Sequence, residues 1–136
     1  MSMIEGLSHL TFVVRDIART ARLFEQVLDA REVYDSGQAG FSISPEKFLL
    51  VGGLWIALMQ GEGAAERSYR HVAFKIDEAD FDDYARRIAA VGVDFRPPRP
   101  RVEGEGRSLY FHDFDNHLFE LHTGTLEERL ARYARG

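Results

Sequence analysis

Cysteine is absent from this 136-residue chain. A disulfide framework, a thiolate zinc site and a cysteine nucleophile are therefore excluded. A surplus of positive charge is missing too: 17 basic residues stand against 22 acidic ones, a formal net charge of −5. That removes the basic footprint of a nucleic-acid binder. Lysine is nearly absent, with Lys47 and Lys75 the only two, so the positive charge is almost all arginine. The planar guanidinium fork suits phosphate, phosphonate and carboxylate groups. No apolar run approaches the roughly 20 residues of a membrane span. The opening MSMIEGLSHLTF has no basic region followed by the long apolar stretch of a secretory signal. The expectation is a soluble, cytoplasmic protein with no membrane and no nucleic acid among its partners.

What is there is apolar patterning, at 45% hydrophobic residues. A chain of this length can bury roughly 68% of its unfolded surface in one domain. LSHLTFVVRD reads as a strand, and IARTARLFEQVLD as a helix over 17–29, with apolar residues at helical spacing and Asp16 as N-cap. Strands are expected over 31–36, 41–51 and 54–60, with turns at the glycines between them. The pattern then restarts. YRHVAFKIDEADFDDYARRIAAVG gives a strand and an amphipathic helix ended by Gly92. Strands follow around 93–96, 107–113 and 117–122, separated by the proline- and glycine-rich RPPRPRVEGEGR. TLEERLARYAR, 125–135, is a final helix with a capping box from Thr125 to Glu128. The fold class is α+β, one domain of two βαβββ modules at about 5–62 and 68–124 plus the C-terminal helix. A half of about 60 residues is a marginal core, so two halves, or two chains, must pack together.

HLTFVVRD and HVAFKIDE match at His9 and His71, at Phe12 and Phe74, and at acidic Asp16 and Glu78. Each histidine sits on the strand face opposite its apolar neighbours. In NHLFELH, Leu118, Glu120 and His122 share a face, with Phe119 and Leu121 on the other. A charged glutamate between Phe119 and Leu121 is costly to bury without a partner. Two imidazoles and a carboxylate on interior-facing positions supply one by jointly holding a divalent metal, with coordination positions left open for Lewis-acid chemistry. A single strand histidine is more often an ordinary hydrogen-bonded residue; its return at the same place in both halves favours ligation. Among the other histidines, His117 alternates to the wrong face, and His122 lies farther along, a candidate to support the ligands rather than join them.

GLSHLTF, GLWIAL, YRHVAFKID, RPRVEGEGRS and RSLYFHDFDNHLFELHTGTLEERL, with His9, His71 and Glu120 in place, resemble the vicinal oxygen chelate superfamily, and within it the fosfomycin resistance proteins, nearly end to end. The resemblance implies a manganese-dependent enzyme acting on an epoxide phosphonate, its mixed sheets curled around the metal. Other divalent ions are compatible with the same ligands. It implies a domain-swapped homodimer in which His9 of one chain joins His71 and Glu120 of the other. Carried over residue by residue, Thr11, Ser108, Tyr110 and Arg129 match positions lining the substrate pocket. Arg99 matches an arginine of the bacillus-type thiol transferases, and Tyr69 and Trp55 match pocket-adjacent positions.

The nucleophile divides the family. Glutathione-adding members carry a lysine and a serine-containing potassium loop where this chain reads PRPRVEGEG, so neither potassium nor a thiol is expected. Glu46, in SPEKF, matches the general base of the water-adding FosX type. Pro45 beside it suggests an edge or irregular strand that leaves Glu46 free to face a cavity. The expected activity is hydrolysis of fosfomycin to a diol phosphonate. The alternatives are a glutathione or bacillithiol transferase on the same substrate, a glyoxalase-like isomerase, and a drug-sequestering protein of the bleomycin-resistance kind.

Overall fold

The alternation in HLTFVV produces the first strand, β1 (His9–Val14), and Asp16 then turns the chain into helix α1 (Ile17–Leu28). The Asp16 carboxylate accepts the Arg19 N–H at 3.1 Å, satisfying one of the four unpaired donors of the first turn. In this computed structural model, residues 3–37, 44–96, 98–99 and 102–136 are described. The chain divides into two units, Met1–Ala65 and Glu66–Gly136.

In the first unit three strands follow α1: β2 (Arg31–Asp35), β3 (Glu46–Val51) and β4 (Leu54–Gln60). The sheet order is β1-β4-β3-β2, with β1 parallel to β4 and the other pairs antiparallel. Gly52 and Gly53, both at positive φ (54° and 82°), make the two-residue turn from β3 to β4. Helix α1 buries Leu23, Phe24 and Val27 against β3 and β4. Phe24 meets Phe12 edge-on at 6.3 Å, and Leu49, Ile56 and Leu58 complete this core. Full burial of each such side chain contributes about 1.5–3 kcal/mol.

The second unit repeats the plan. β5 (His71–Lys75) leads through a single 3-10 turn (Glu78–Asp80) into α2 (Phe81–Val91), which ends at Gly92. Then come β6 (Phe95–Arg96), β7 (Ser108–His112), β8 (Leu118–His122) and α3 (Leu126–Ala134), with its Thr125–Glu128 capping box. The order β5-β8-β7-β6 is that of the first sheet, and β5 is again parallel to its neighbour. Phe119 stacks on Phe111 at 5.5 Å and on Phe74 at 6.4 Å, so one face of this sheet is an aromatic core. The α+β class and the repeated βαβββ topology stand as expected. No described helix is long and apolar enough to cross a membrane.

One expectation changes. The strand placed at 41–51 begins at Glu46; residues 41–43 lie outside the described part, and Ser44 and Pro45 precede the ladder. Nor is β3 an edge strand, since it lies between β4 and β2. Pro45 is tolerated because it sits just before the strand, where its missing N–H costs no ladder bond, while its carbonyl accepts the Gln60 N–H at 2.9 Å.

Candidate metal centre

The face of the second sheet opposite its aromatic core carries the polar residues. The register sets Ala73 beside Glu120 and Tyr110 beside Glu120, with His71 next to Leu118 and Ser108 next to His122. His71, Glu120, Tyr110, Ser108 and His122 therefore share one face. His71 Nε2 lies 2.9 Å from Glu120 Oε1. The other ring nitrogen, Nδ1, is 2.7 Å from the Tyr69 carbonyl, which can only accept, so Nδ1 carries the hydrogen. Protonated, the ring closes an ion pair here; neutral, it turns its Nε2 lone pair to a carboxylate oxygen, and a bound cation then joins the two acceptors. Imidazole donating its far N–H to a backbone carbonyl is also the usual arrangement of a metal-ligating histidine. The pair thus fits a divalent metal with nitrogen and oxygen ligands. Among the described residues no three His, Asp or Glu side chains gather as a ready set, so His71 and Glu120 form a two-ligand half.

A cavity of about 530 Å³ opens beside this half, lined among others by Tyr69, Arg99, Ser108, Tyr110 and Arg129. Its size lies within the range of small-molecule sites. Arg129, from α3, donates through Nη1 to Tyr133 Oη (3.1 Å) and through Nη2 to the Glu105 carbonyl (3.2 Å). Its Nε–H is buried without a hydrogen-bond partner among the described residues. Glu105 is held in turn by Gly106: at φ 73°, a Cβ there would meet the Gly124 nitrogen at 2.5 Å. Arg107 is occupied elsewhere, paired with Glu78 at 2.7 Å and lying over the Phe81 ring. Tyr110 Oη is 3.3 Å from Tyr69 Oη. Burial above all, then the Tyr69 hydrogen bond and the Glu120 charge, raises the Tyr110 pKa, so the phenol remains an O–H donor.

In the first unit the sheet face away from the core carries His9, Thr11 and Glu46 among apolar neighbours. The register aligns His9 with Trp55, Thr11 with Ala57, Phe48 with Ala57 and Glu46 with Met59. His9, Thr11, Trp55 and Glu46 thus lie on the sheet face opposite Leu10, Phe12 and Leu58. His9 is stacked on Trp55 at 4.1 Å, and its Nδ1 is 3.0 Å from Ser8 Oγ. Trp55 Nε1 is buried and unpartnered among the described residues. Lys47, on the reverse face, is engaged by Glu32 at 2.7 Å and Asp35 at 3.6 Å, and not by Glu46. The Glu46 main-chain N–H donates to Ser36 Oγ, and among the described residues its carboxylate takes no hydrogen bond or ion pair. Glu46 also borders a cavity of about 390 Å³ at the start of α1.

Of the expected residues, the second unit brings His71, Glu120, Ser108, Tyr110, Tyr69, Arg99 and Arg129 to the pair and its cavity. In the first unit His9 and Trp55 are in contact with Thr11 next along the face, while Glu46 shares that face but stands level with Val13 and Met59, away from His9. His117, set aside on phase, is bound to Asp113 (Nδ1 to Oδ2, 2.7 Å) in the β7–β8 turn. What the sequence reading missed is the link between Ser108 and two neighbours on β8. Ser108 Oγ is 2.6 Å from Glu120 Oε2 and 2.7 Å from His122 Nδ1. Phase placed these side chains on one face; only the β7–β8 register makes Ser108 their common partner.

Two βαβββ modules with one shared strand order define a vicinal oxygen chelate domain, and the chain belongs to the Glyoxalase/Bleomycin resistance protein/Dioxygenase superfamily, whose model matches residues 6–121. Within that superfamily it is of the FosX type of fosfomycin resistance protein. It is 68% identical to the fosfomycin resistance protein FosX of Mesorhizobium japonicum, over 98% of this chain and 96% of that one. The crystal structure of FosX from Mesorhizobium loti superposes with a TM-score of 0.87 at 65% identity, covering 96% of this chain and 100% of that one. A glutamine variant of FosX from Listeria monocytogenes, crystallised with manganese(II) and a dihydroxypropylphosphonic acid, also gives 0.87, at 53% identity over 96% and 99% of the two chains.

Proposed function

We infer that the protein is a manganese-dependent epoxide hydrolase that adds water to fosfomycin and so confers resistance to it. The observation that carries the reading is the His71–Glu120 pair, with imidazole Nε2 and a carboxylate oxygen 2.9 Å apart and the far ring nitrogen held by the Tyr69 carbonyl. The relatives crystallised with manganese(II), one of them with a diol phosphonate, support it. His71 and Glu120 of one chain and His9 of a second copy would hold the metal in a homodimer, and the enzyme is cytoplasmic. When bound, the metal supplies a Lewis acid for the epoxide oxygen.

The chain's own residues do the rest. Arg129, with its free Nε–H, and Arg99 receive the phosphonate by charge-assisted hydrogen bonds, and the Tyr110 hydroxyl adds a neutral donor. Tyr69 and Trp55 flank the pocket. Glu46 takes a proton from water as the water oxygen bonds to a ring carbon. The bond from that carbon to the ring oxygen breaks, and the electron pair stays on the oxygen. Thr11 donates a hydrogen bond to this oxygen, and the proton taken up by Glu46 returns through solvent to it, which completes the diol and restores the carboxylate. Incubation with fosfomycin and manganese(II), without thiol, tests the reading by mass spectrometry. A product heavier by one water supports it. Turnover only when glutathione or bacillithiol is added makes the protein a transferase, and tight binding without turnover makes it a sequestering protein.

A further inference from the structure

We propose that His122 and Ser108 are positioning residues that fix the orientation of the Glu120 carboxylate, and that Ser108 is not a donor to the substrate; this rests on the metal-enzyme reading. A serine hydroxyl has one proton to give. At 2.6 Å, Ser108 Oγ to Glu120 Oε2 has the length of a charge-assisted O–H···O⁻ bond, and a carboxylate can only accept, so that proton is committed to Glu120. The same Oγ lies 2.7 Å from His122 Nδ1. With the hydroxyl proton spent, the imidazole must be the donor, which fixes His122 as the Nδ1–H form.

The result is a directed chain, His122 Nδ1–H to Ser108 Oγ–H to Glu120 Oε2. It pins one carboxylate oxygen and leaves the other, Oε1, facing His71 Nε2. The imidazole is itself confined: a Cβ at Gly124 would stand 2.8 Å from His122 Nε2 and 3.0 Å from the Glu105 carbonyl oxygen. The register makes the chain possible. Ser108 is directly opposite His122 and diagonal to Glu120, both within side-chain reach across an antiparallel pair.

The test is manganese(II) affinity of the full-length chain, measured by electron paramagnetic resonance of the free ion, alongside fosfomycin KM. Partners that orient a metal ligand are worth about 10- to 100-fold in metal affinity. Ser108→Ala and His122→Phe are each expected to weaken manganese(II) by that factor. The double variant should be no weaker than Ser108→Ala alone, because the two act through one path. His122→Asn, whose amide N–H falls near the Nδ1 position, should stay close to the parent, whereas His122→Gln should not. Ser108→Ala with unchanged manganese(II) affinity and a raised KM overturns the proposal and makes Ser108 a phosphonate contact. Additive losses in the double variant also overturn it, leaving two independent packing effects. Should Ser108→Ala fail to fold, the asparagine and phenylalanine variants at 122 decide, and equal affinities refute the proposal. A parent protein that binds no manganese(II) refutes instead the metal-enzyme reading itself.

Discussion

Glu46 and Glu120 are both strand carboxylates on the sheet faces away from the cores, yet their surroundings differ. Glu120 is surrounded by His71, Ser108 and His122, while Glu46 has no side-chain partner among the described residues. A free carboxylate can accept a proton from water; a carboxylate fixed at both oxygens can present one of them to a metal. Glu46→Gln should therefore leave manganese(II) affinity unchanged and lower fosfomycin hydrolysis by about 10²–10⁴, the usual worth of a positioned base. Glu120→Ala should weaken manganese(II) itself. Measuring kcat and metal affinity on both variants separates the roles; normal turnover by the Glu46 variant sinks the base, and parental metal affinity in the Glu120 variant sinks the ligand. Both residues were legible in the sequence, but for different reasons. Glu120 stands out as a charge between Phe119 and Leu121, whereas Glu46 gained a role only by resemblance.

At the scale of elements, the β7–β8 turn fixes the register on which the polar face depends. Asp113 Oδ1 accepts the Asp115 N–H at 2.8 Å and the His117 N–H at 2.9 Å, and Oδ2 takes the His117 ring. The Asp113 hydrogen bond raises the His117 pKa above its ordinary value of 6.5, against the opposing effect of burial, with the charges of Asp113 and Asp115 also raising it. A raised folded value means that this contribution to stability is fully present below the unfolded pKa and is lost as pH rises through the folded one. The Tm difference between the parent and His117→Gln should thus be widest in mild acid and shrink at alkaline pH; a gap independent of pH would remove the ion pair from the account. Behind the turn, Phe119 is wholly buried between Phe74 and Phe111. Phe119→Ala should cost about 3–5 kcal/mol in denaturant unfolding; a loss under about 1 kcal/mol would mean this core is not close-packed. The sequence showed the strands and their faces, because side-chain direction follows from period two. It missed that Pro45 precedes an interior strand, because a strand's place in the sheet order depends on chain crossing and not on its own residues.

At the scale of the whole molecule, two units share one strand order, and the sheet face away from each core carries His9 in one and His71 and Glu120 in the other. The proposed homodimer predicts complementation between dead variants. His9→Ala and Glu120→Ala should each be inactive alone. Co-refolded, they should form heterodimers in which one site carries both defects and the other none, restoring up to half the parent activity of each such dimer. No recovery would mean that each chain assembles its own ligands.

By itself the sequence determined the repeat, the two faces of each sheet and the residues eligible to bind a metal. These follow from local rules: alternation along a strand, spacing on a helix, and the cost of burying a lone carboxylate. The tertiary structure decided which eligible residues touch. Ser108 reaches Glu120 and His122, and the Tyr69 carbonyl sets the His71 tautomer, through distances of 2.6–2.7 Å. Those contacts depend on strand register and on where a backbone carbonyl turns. A one-residue slip in register would leave every local rule satisfied along β7 and still turn Ser108 away from its partners, because successive side chains point to opposite faces.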